Sequence, residues 1–78
     1  MTELRIKISR DDVEDFVKIT NRFDFDIDIC SIDDHYVIDA KSIMGIFSLN
    51  LSKPTIIRVA KANGETQSLF EMLSKWAA

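Results

Sequence analysis

The sequence VIDAKSIMGIFSL, residues 37–49, predicts a strand that runs directly into a short helix. Residues 36–40 are typical of the return strand of a hairpin. Ser42 is a residue type favoured at the N-cap of a helix, and the run IMGIFSLNL follows it. The apolar side chains of that run point around most of a helix, and a domain this small cannot enclose a helix on all sides. We therefore expect part of this apolar surface to face water or a partner.

N-terminal to this stretch, the sequence predicts a strand followed by a helix. Residues 2–8 alternate between apolar and polar side chains, with the period of a half-buried strand. Ser9 can cap the helix that follows, and Asp11 and Asp12 suit the positive end of its dipole. Helical spacing then places four side chains on one buried stripe: Val13, Phe16, Val17 and Thr20.

Alternation returns at Phe23 and predicts a second strand, whose side chains divide between two faces. The inward residues are Phe23, Phe25, Ile27 and Ile29, and the outward residues are Asp24, Asp26 and Asp28. A register shift of one residue would bury the carboxylates, so the register is firmly set. We expect these aspartates to lie on a solvated sheet face, because carboxylates about 7 Å apart cannot share a calcium ion without further ligands. Asp33 and Asp34 predict the tight turn to the return strand.

After the short helix, the sequence predicts one more strand and one more helix. Pro54 ends the apolar run, and the β-branched residues 55–61 are typical of a strand. A turn at Asn63 and Gly64 follows. The last helix has an apolar stripe made of Leu69, Met72, Leu73 and Trp76.

The predicted element order is βαββαβα within a single domain, residues 1–78. Strands that pair antiparallel, with helices on one face, give an α+β open-faced sandwich with a four-stranded antiparallel sheet. A chain of this length has room for one core and no second domain.

The composition argues against several classes of function. The chain has 13 acidic and 10 basic residues, a net charge of −3 and no basic stripe, which argues against direct binding of nucleic acid. Its one cysteine, Cys30, excludes an internal disulfide. No apolar run is long enough to span a bilayer, and the first residues lack the apolar core of a signal peptide. We therefore expect a cytoplasmic protein without membrane insertion.

The sequence contains no motif that indicates a catalytic site or a metal site. Cys30 has no neighbouring base, and the one histidine, His35, lies in the predicted hairpin turn. No serine lies in a nucleophile-elbow context. We therefore expect no enzyme activity, no cofactor and no metal site, and a domain that acts through its surface.

Residues 37–49 resemble the central segment of HPr, the histidine-containing phosphocarrier of the bacterial sugar phosphotransferase system. In that family a strand also runs into a short helix through an A-K-S-I-M-G stretch. The predicted element order is similar to the family's fold. Phe16, Val17, Lys18 and Phe23 fall where the family has its first helix and second strand. The resemblance implies an open-faced β-sandwich of HPr type in a bacterial protein.

The family's phosphocarrier site is not matched in this chain. In the family, a histidine in a G-L-H-x-R-P type loop at the start of the first helix accepts the phosphoryl group. Here residues 8–12 join strand and helix directly, and neither histidine nor proline is present among them. Asp11 and Asp12 would repel a phosphate, and Arg10 alone does not compensate. The resemblance places His35 about 10 Å to the side of the helix start, where we expect a solvent-exposed turn residue.

Ser42 is the site residue that the resemblance retains. In one branch of the family, the matching serine is phosphorylated by a dedicated kinase, and the phosphoserine form binds a transcriptional repressor. A related group without the phosphocarrier histidine keeps only this regulatory role. A phosphate at an N-cap adds about −1.5 to −2 charge to a helix end that favours anions. Serine is among the commonest N-cap residues, and capping alone would account for Ser42.

Three functions stay open at this point. The first is a non-catalytic regulatory or protein-interaction domain of the phosphotransferase system, without a phosphorylatable active-site histidine and switched at Ser42. Its partners would be phosphotransferase components, a serine kinase or a transcriptional regulator. Its candidate partner-binding residues are Ile43, Met44, Ile46 and Phe47. The alternatives are a divergent phosphocarrier that accepts phosphate on another residue, and a structural domain that self-associates through the apolar helix.

Overall fold

A computed structural model describes residues 2–78, which fold in the predicted element order. The strands are β1 (Thr2–Ile6), β2 (Asp28–Ser31), β3 (Val37–Asp39) and β4 (Thr55–Val59). The α-helices are α1 (Val13–Thr20), α2 (Ile43–Phe47) and α3 (Thr66–Leu73). One-turn 3₁₀ helices precede α1 at Arg10–Asp12 and follow α3 at Ser74–Trp76. No helix within residues 2–78 is long and apolar enough to cross a membrane.

The strands form an antiparallel sheet in the order β1-β4-β2-β3. The pairing of Ile29 with both Ile38 and Ile57 places these side chains on the same face of the sheet. Because the other face is open, the predicted α+β open-faced sandwich with a four-stranded antiparallel sheet is confirmed.

The core lies between the apolar sheet face and the helices. Ile29 and Ile57 are fully buried there, together with Phe16 of α1 and Leu69 of α3. Trp76 lies in the 3₁₀ helix rather than in α3 and is only partly buried. Its ring centroid is 5.9 Å from that of Phe16, so it closes the edge of the core.

β1, β3 and β4 are shorter than the sequence predicted, because a strand continues only while a neighbouring strand pairs with it. Thr2–Ile6 pairs with Thr55–Val59, and both strands end where that pairing ends. The next residue, Lys7, donates its N–H to the Trp76 carbonyl at 2.8 Å. β3 is likewise confined to the residues that pair with β2.

The prediction that the second strand starts at Phe23 is wrong, because β2 starts at Asp28. The neighbouring strands provide pairing partners only from that residue onward. Asp24 and Asp26 consequently lie in the loop before β2, and of the three aspartates only Asp28 lies on the sheet. The alternation still reflects burial, since Ile27 in that loop is 1% exposed.

The open face of the sheet is organised around one arginine. Arg58 of β4 donates to Glu3 of β1 at 2.8 Å and to Asp34 of the hairpin at 3.0 Å. Asp34 has φ 66, a left-handed conformation that aspartate tolerates in a turn, and this confirms the predicted turn. Cys30 lies on the same face, and the burial of its side chain raises the pKa of the thiol.

The position of α2 depends on a close approach to β3. Gly45 lies so near to Ile38 that a Cβ on residue 45 would be 2.7 Å from Ile38 Cγ2. Contacts between real Cβ atoms and their neighbours are longer than this, so only glycine allows the observed packing.

We expect Gly45→Ala to lower the free energy of unfolding by about 1–3 kcal/mol, because the added methyl group overlaps Ile38 Cγ2. Gly64→Ala is the matched control, since a Cβ there meets nothing within 4 Å and the residue does not have positive φ. That control should keep its stability or gain about 0.4–1 kcal/mol. Urea unfolding followed by circular dichroism measures both variants. An equal loss in the two would contradict the packing argument.

Candidate functional site

Ser42 is the N-cap of α2, as the sequence predicted. Its Oγ accepts a hydrogen bond from the Gly45 N–H at 3.1 Å, and its backbone is extended at φ −100 and ψ 108. Its carbonyl accepts the Ile46 N–H at 3.0 Å and so starts the helical ladder. The residue is half-buried. The serine hydroxyl therefore has a structural partner in the unmodified protein.

The chain that leads into Ser42 is fixed by the end of α1 and the residues after it. Thr20 Oγ1 donates to the Ala40 carbonyl at 2.8 Å in a buried hydrogen bond. Lys41 Nζ donates to the Phe23 carbonyl at 2.6 Å. These bonds hold the segment before α2 from two directions. Thr20 lies on the buried stripe that the sequence predicted, but its bond to Ala40 was not predicted, although a buried threonine hydroxyl requires a partner.

Three apolar side chains of α2 are exposed: Ile43 at 38%, Met44 at 82% and Phe47 at 39%. This confirms the expectation that part of the apolar helix faces water or a partner. Ile46 was expected to share this surface, and that prediction is wrong because its side chain is fully buried. The close approach of Gly45 to β3 brings the next residue into the core, and a short helix has only one inward side.

Arg10 joins the exposed face of α2 to the start of α1. Its guanidinium carbon lies 4.8 Å from the centroid of the Phe47 ring, a cation–π distance. Ile43, Met44, Phe47 and Arg10 together are called the α2 patch below. The patch is therefore apolar with a cationic border.

At the start of α1, a carboxylate of the chain itself binds the hydrogen-bond donors of Ser9. The Asp12 carboxylate accepts the Ser9 N–H at 2.8 Å and the Ser9 hydroxyl at 3.0 Å. These hydrogen bonds lower the pKa of Asp12. A negative charge thus already occupies these donors, at the helix start where the family would hold a phosphoryl group. The helix that Ser9 was predicted to cap begins here with a 3₁₀ turn.

His35 lies in the β2–β3 hairpin, as predicted, and its side chain is 76% exposed. Its Nδ1 is 3.2 Å from Asp33 Oδ2. The sheet order places β4 between the hairpin and β1, the strand that leads to α1. The structure therefore does not bring His35 to Arg10 and Ser9 at the start of α1.

The remaining titratable side chains form no metal centre that the structure describes. Within residues 2–78, no group of three His, Cys, Asp or Glu side chains is arranged to hold a metal ion. Of the site residues that the sequence predicted, Ser42 with its hydroxyl and the exposed side chains of the α2 patch are placed where another molecule can contact them.

The family model described as "PTS HPr component phosphorylation site" matches residues 12–78. The match covers more than half of the chain and agrees with the HPr-type sheet and helices seen in the structure. The chain therefore belongs to the HPr family of the phosphotransferase system, and protein partners in that system follow from this membership. The matched segment includes Ser42 and α2 and starts after Asp11. No curated protein matches the chain.

We expect Asp12→Asn to reduce stability near neutral pH and to have little effect in acid. Since the hydrogen bonds from Ser9 lower the folded-state pKa of Asp12, its carboxylate stabilises the fold above the unfolded-state pKa of about 4. That contribution is lost as the pH falls through the lower, folded-state pKa. Urea midpoints of the variant and wild type between about pH 7 and pH 2 measure this difference.

Asp11→Asn is the control for this pH series, because Asp11 is exposed and does not form the hydrogen bonds to Ser9 that Asp12 forms. Its urea midpoints should follow those of the wild type throughout. If the gap between Asp12→Asn and wild type stays constant across the series, the carboxylate does not stabilise the start of α1 in this way.

Proposed function

We propose that this protein is a non-catalytic regulatory domain of the HPr family that binds protein partners and does not carry phosphoryl groups on histidine. The observation that supports this most directly is the Ser9–Asp12 pair at the start of α1. A phosphohistidine site needs an imidazole beside free amide donors. Here a carboxylate is bound at 2.8 Å to the Ser9 N–H instead.

The position of the one histidine supports the same proposal. His35 is in the hairpin, where its ring lies beside the Asp33 carboxylate and not beside a helix N-terminus. An added phosphoryl group there would face a like charge at close range. The segment 9–11, where the family's loop would precede the helix, also lies outside the matched residues.

The α2 patch supports binding to a protein. Met44 is 82% exposed, and Phe47 lies under the Arg10 guanidinium, so flexible, aromatic and cationic groups adjoin on one surface. Such groups are enriched at the centres of protein interfaces. The partners that fit the proposal are phosphotransferase components, a serine kinase and a transcriptional regulator. A domain of this kind has no enzyme activity of its own and acts in the cytoplasm.

Ser42 is the proposed switch of this surface. Phosphorylation would place about −1.5 to −2 charge at the N-cap of α2. Ile43 and Met44 follow directly in the chain, so that the charge would alter the surface a partner contacts. Because Thr20 and Lys41 hold the preceding segment, this change is compatible with an intact fold.

We expect an increase of one phosphate in mass after incubation with the family's serine kinase and no increase after incubation with phosphoenolpyruvate and the general phosphotransferase enzyme. Intact-mass spectrometry of separate reactions measures both. Ser42→Asn is the matched control, since asparagine is as good an N-cap as serine but has no hydroxyl group. This variant should keep its fold and gain no phosphate.

The other results of this experiment separate the alternatives. An acid-labile phosphate in the phosphoenolpyruvate reaction would contradict the proposal and identify a divergent phosphocarrier. His35→Gln would then show whether that phosphate is on the histidine. Phosphate absent from both reactions would refute the switch at Ser42.

We expect the wild type to sediment as a monomer at every concentration tested. A stable dimer buries about 800 Å² from each partner, and a patch of four side chains does not provide this area. Sedimentation velocity over a concentration series measures the mass. A mass that rises with concentration in wild type, but not in Met44→Lys, would instead support self-association through α2.

A further inference from the structure

The two edges of the sheet differ in what covers them. At the outer side of β1, the Ala78 N–H donates to the Arg5 carbonyl at 3.0 Å. Ala77 forms a bridge with Ile6 on the same side, so the C-terminal residues occupy this edge. β3 is the strand at the opposite edge of the sheet that residues 2–78 form. An edge strand presents backbone N–H and C=O groups with which another chain can pair.

The hydrogen bonds of the hairpin show which backbone groups of β3 point away from the sheet. The Ser31 N–H donates to the Tyr36 carbonyl at 2.9 Å, so these two residues are a hydrogen-bonded pair. Such pairs alternate with non-hydrogen-bonded pairs along antiparallel strands, and the backbone groups of the latter point to the other side. Val37 and Asp39 therefore direct their N–H groups outward. The Val37 carbonyl also points outward, whereas the Asp39 carbonyl accepts the Ser42 N–H at 3.0 Å.

The side chain at the start of this edge is apolar and exposed. Val37 is 54% exposed and lies on the open face of the sheet, opposite Cys30 in the register. β-branched side chains pack well against those of a neighbouring strand. A strand added to this edge would therefore cover an apolar surface that water now contacts.

Two carboxylates lie next to each other on the same face. Asp28 and Asp39 are directly opposite in a non-hydrogen-bonded pair, where cross-strand side chains are closest. Like charges in this arrangement are unfavourable. The arginine of this face, Arg58, forms its ion pairs with Glu3 and Asp34. A cation on the outer side of Asp39 would be attracted by both carboxylates of the pair.

We propose that the open edge of β3 binds an extended segment of a partner protein, which pairs with it as an additional strand. The segment carries a lysine or arginine opposite Asp39 and an apolar residue opposite Val37. These two residues of the segment are two positions apart, because alternate side chains of a strand share a face. A charged edge strand prevents unselective pairing, so Asp39 excludes acidic segments and favours basic ones. This surface contains no residue of the α2 patch, and its use does not depend on phosphorylation of Ser42.

Titration of the ¹⁵N-labelled protein with a short threonine peptide, which contains one valine and one lysine two positions apart, tests the proposal. We expect saturable amide shifts that are largest at residues 36–39 and extend to residues 28–30. The amides of Val37 and Asp39 should also exchange their hydrogens more slowly when the peptide is bound, because both would donate to it.

Two control peptides separate charge from strand pairing. Glutamate in place of lysine should weaken binding at least about tenfold, because an attraction is replaced by a repulsion. N-methylation of the backbone amides of the lysine peptide should also weaken binding at least about tenfold, because main-chain hydrogen bonds supply the affinity of an added strand.

Three variants test the residues. Asp39→Asn keeps an acceptor for the Lys41 N–H but lacks the charge, and should weaken binding of the lysine peptide about three- to fivefold. Val37→Pro removes an N–H that points outward, a change that edge strands tolerate, and should weaken binding at least about fivefold. Asp15→Asn removes an exposed acid of α1 and should bind as wild type does. Circular dichroism checks that each variant is folded.

Several results would overturn the proposal. One is the absence of saturable shifts with the lysine peptide, and another is a set of shifts that is largest outside residues 28–30 and 36–39. Equal binding of the lysine and glutamate peptides would exclude recognition by the carboxylates, and equal binding of the N-methylated peptide would exclude strand pairing. The N-methylated peptide decides this point even if Val37→Pro does not fold. Shifts at residues 36–39 that grow with protein concentration alone would show that a second copy of the chain is the occupant instead.

Discussion

The contact between Gly45 and Ile38 is the constraint on which the surface of this protein depends. A residue without a side chain lets the backbone of α2 lie against β3, with only 2.7 Å available to a Cβ. The same glycine supplies the N–H that Ser42 accepts. It is followed by Ile46, which enters the core, and preceded by Met44, which stays in water. One close approach thus sets the cap, the buried side and the exposed side of a five-residue helix.

A helix this short would not be stable alone, so its order has to come from its neighbours. The buried bond from Thr20 to Ala40 joins the end of α1 to the strand exit, and Lys41 extends this connection to Phe23. Arg10 then contacts Phe47 from the other end of α1. α2 is therefore held at its start by the end of α1, and at its end by the 3₁₀ turn that precedes α1. A partner that binds α2 meets a surface that is already ordered, and less conformational entropy is lost on binding.

Local patterns predicted the parts of this fold that local physics determines. The periods of 2 and 3.6 gave the element order, and the preference of serine for N-caps identified Ser42. Strand ends were less predictable, because they depend on partners far away in sequence: β2 starts at Asp28 only because Asp39 and Arg58 are there to pair with it. For the same reason, the burial of Ile46 could not be separated from the exposure of Phe47 before the approach of Gly45 to β3 was known. The pairing of Ser9 with Asp12 had a signal, since serine followed three residues later by an acid is typical of a helix start.

The arginine on the open sheet face has a consequence for how the molecule comes apart. Arg58 binds Glu3 on β1, at one side of β4, and Asp34 in the β2–β3 hairpin, at the other side. Its side chain is only 19% exposed. β1 cannot separate from β4 without breaking the bond to Glu3, and the hairpin turn cannot move away from β4 without breaking the bond to Asp34. Cys30 lies on the same face without any exposure to solvent. Its thiol is consequently a chemical probe of local opening, because a reagent in solution can reach the sulfur only after the groups that cover it have moved.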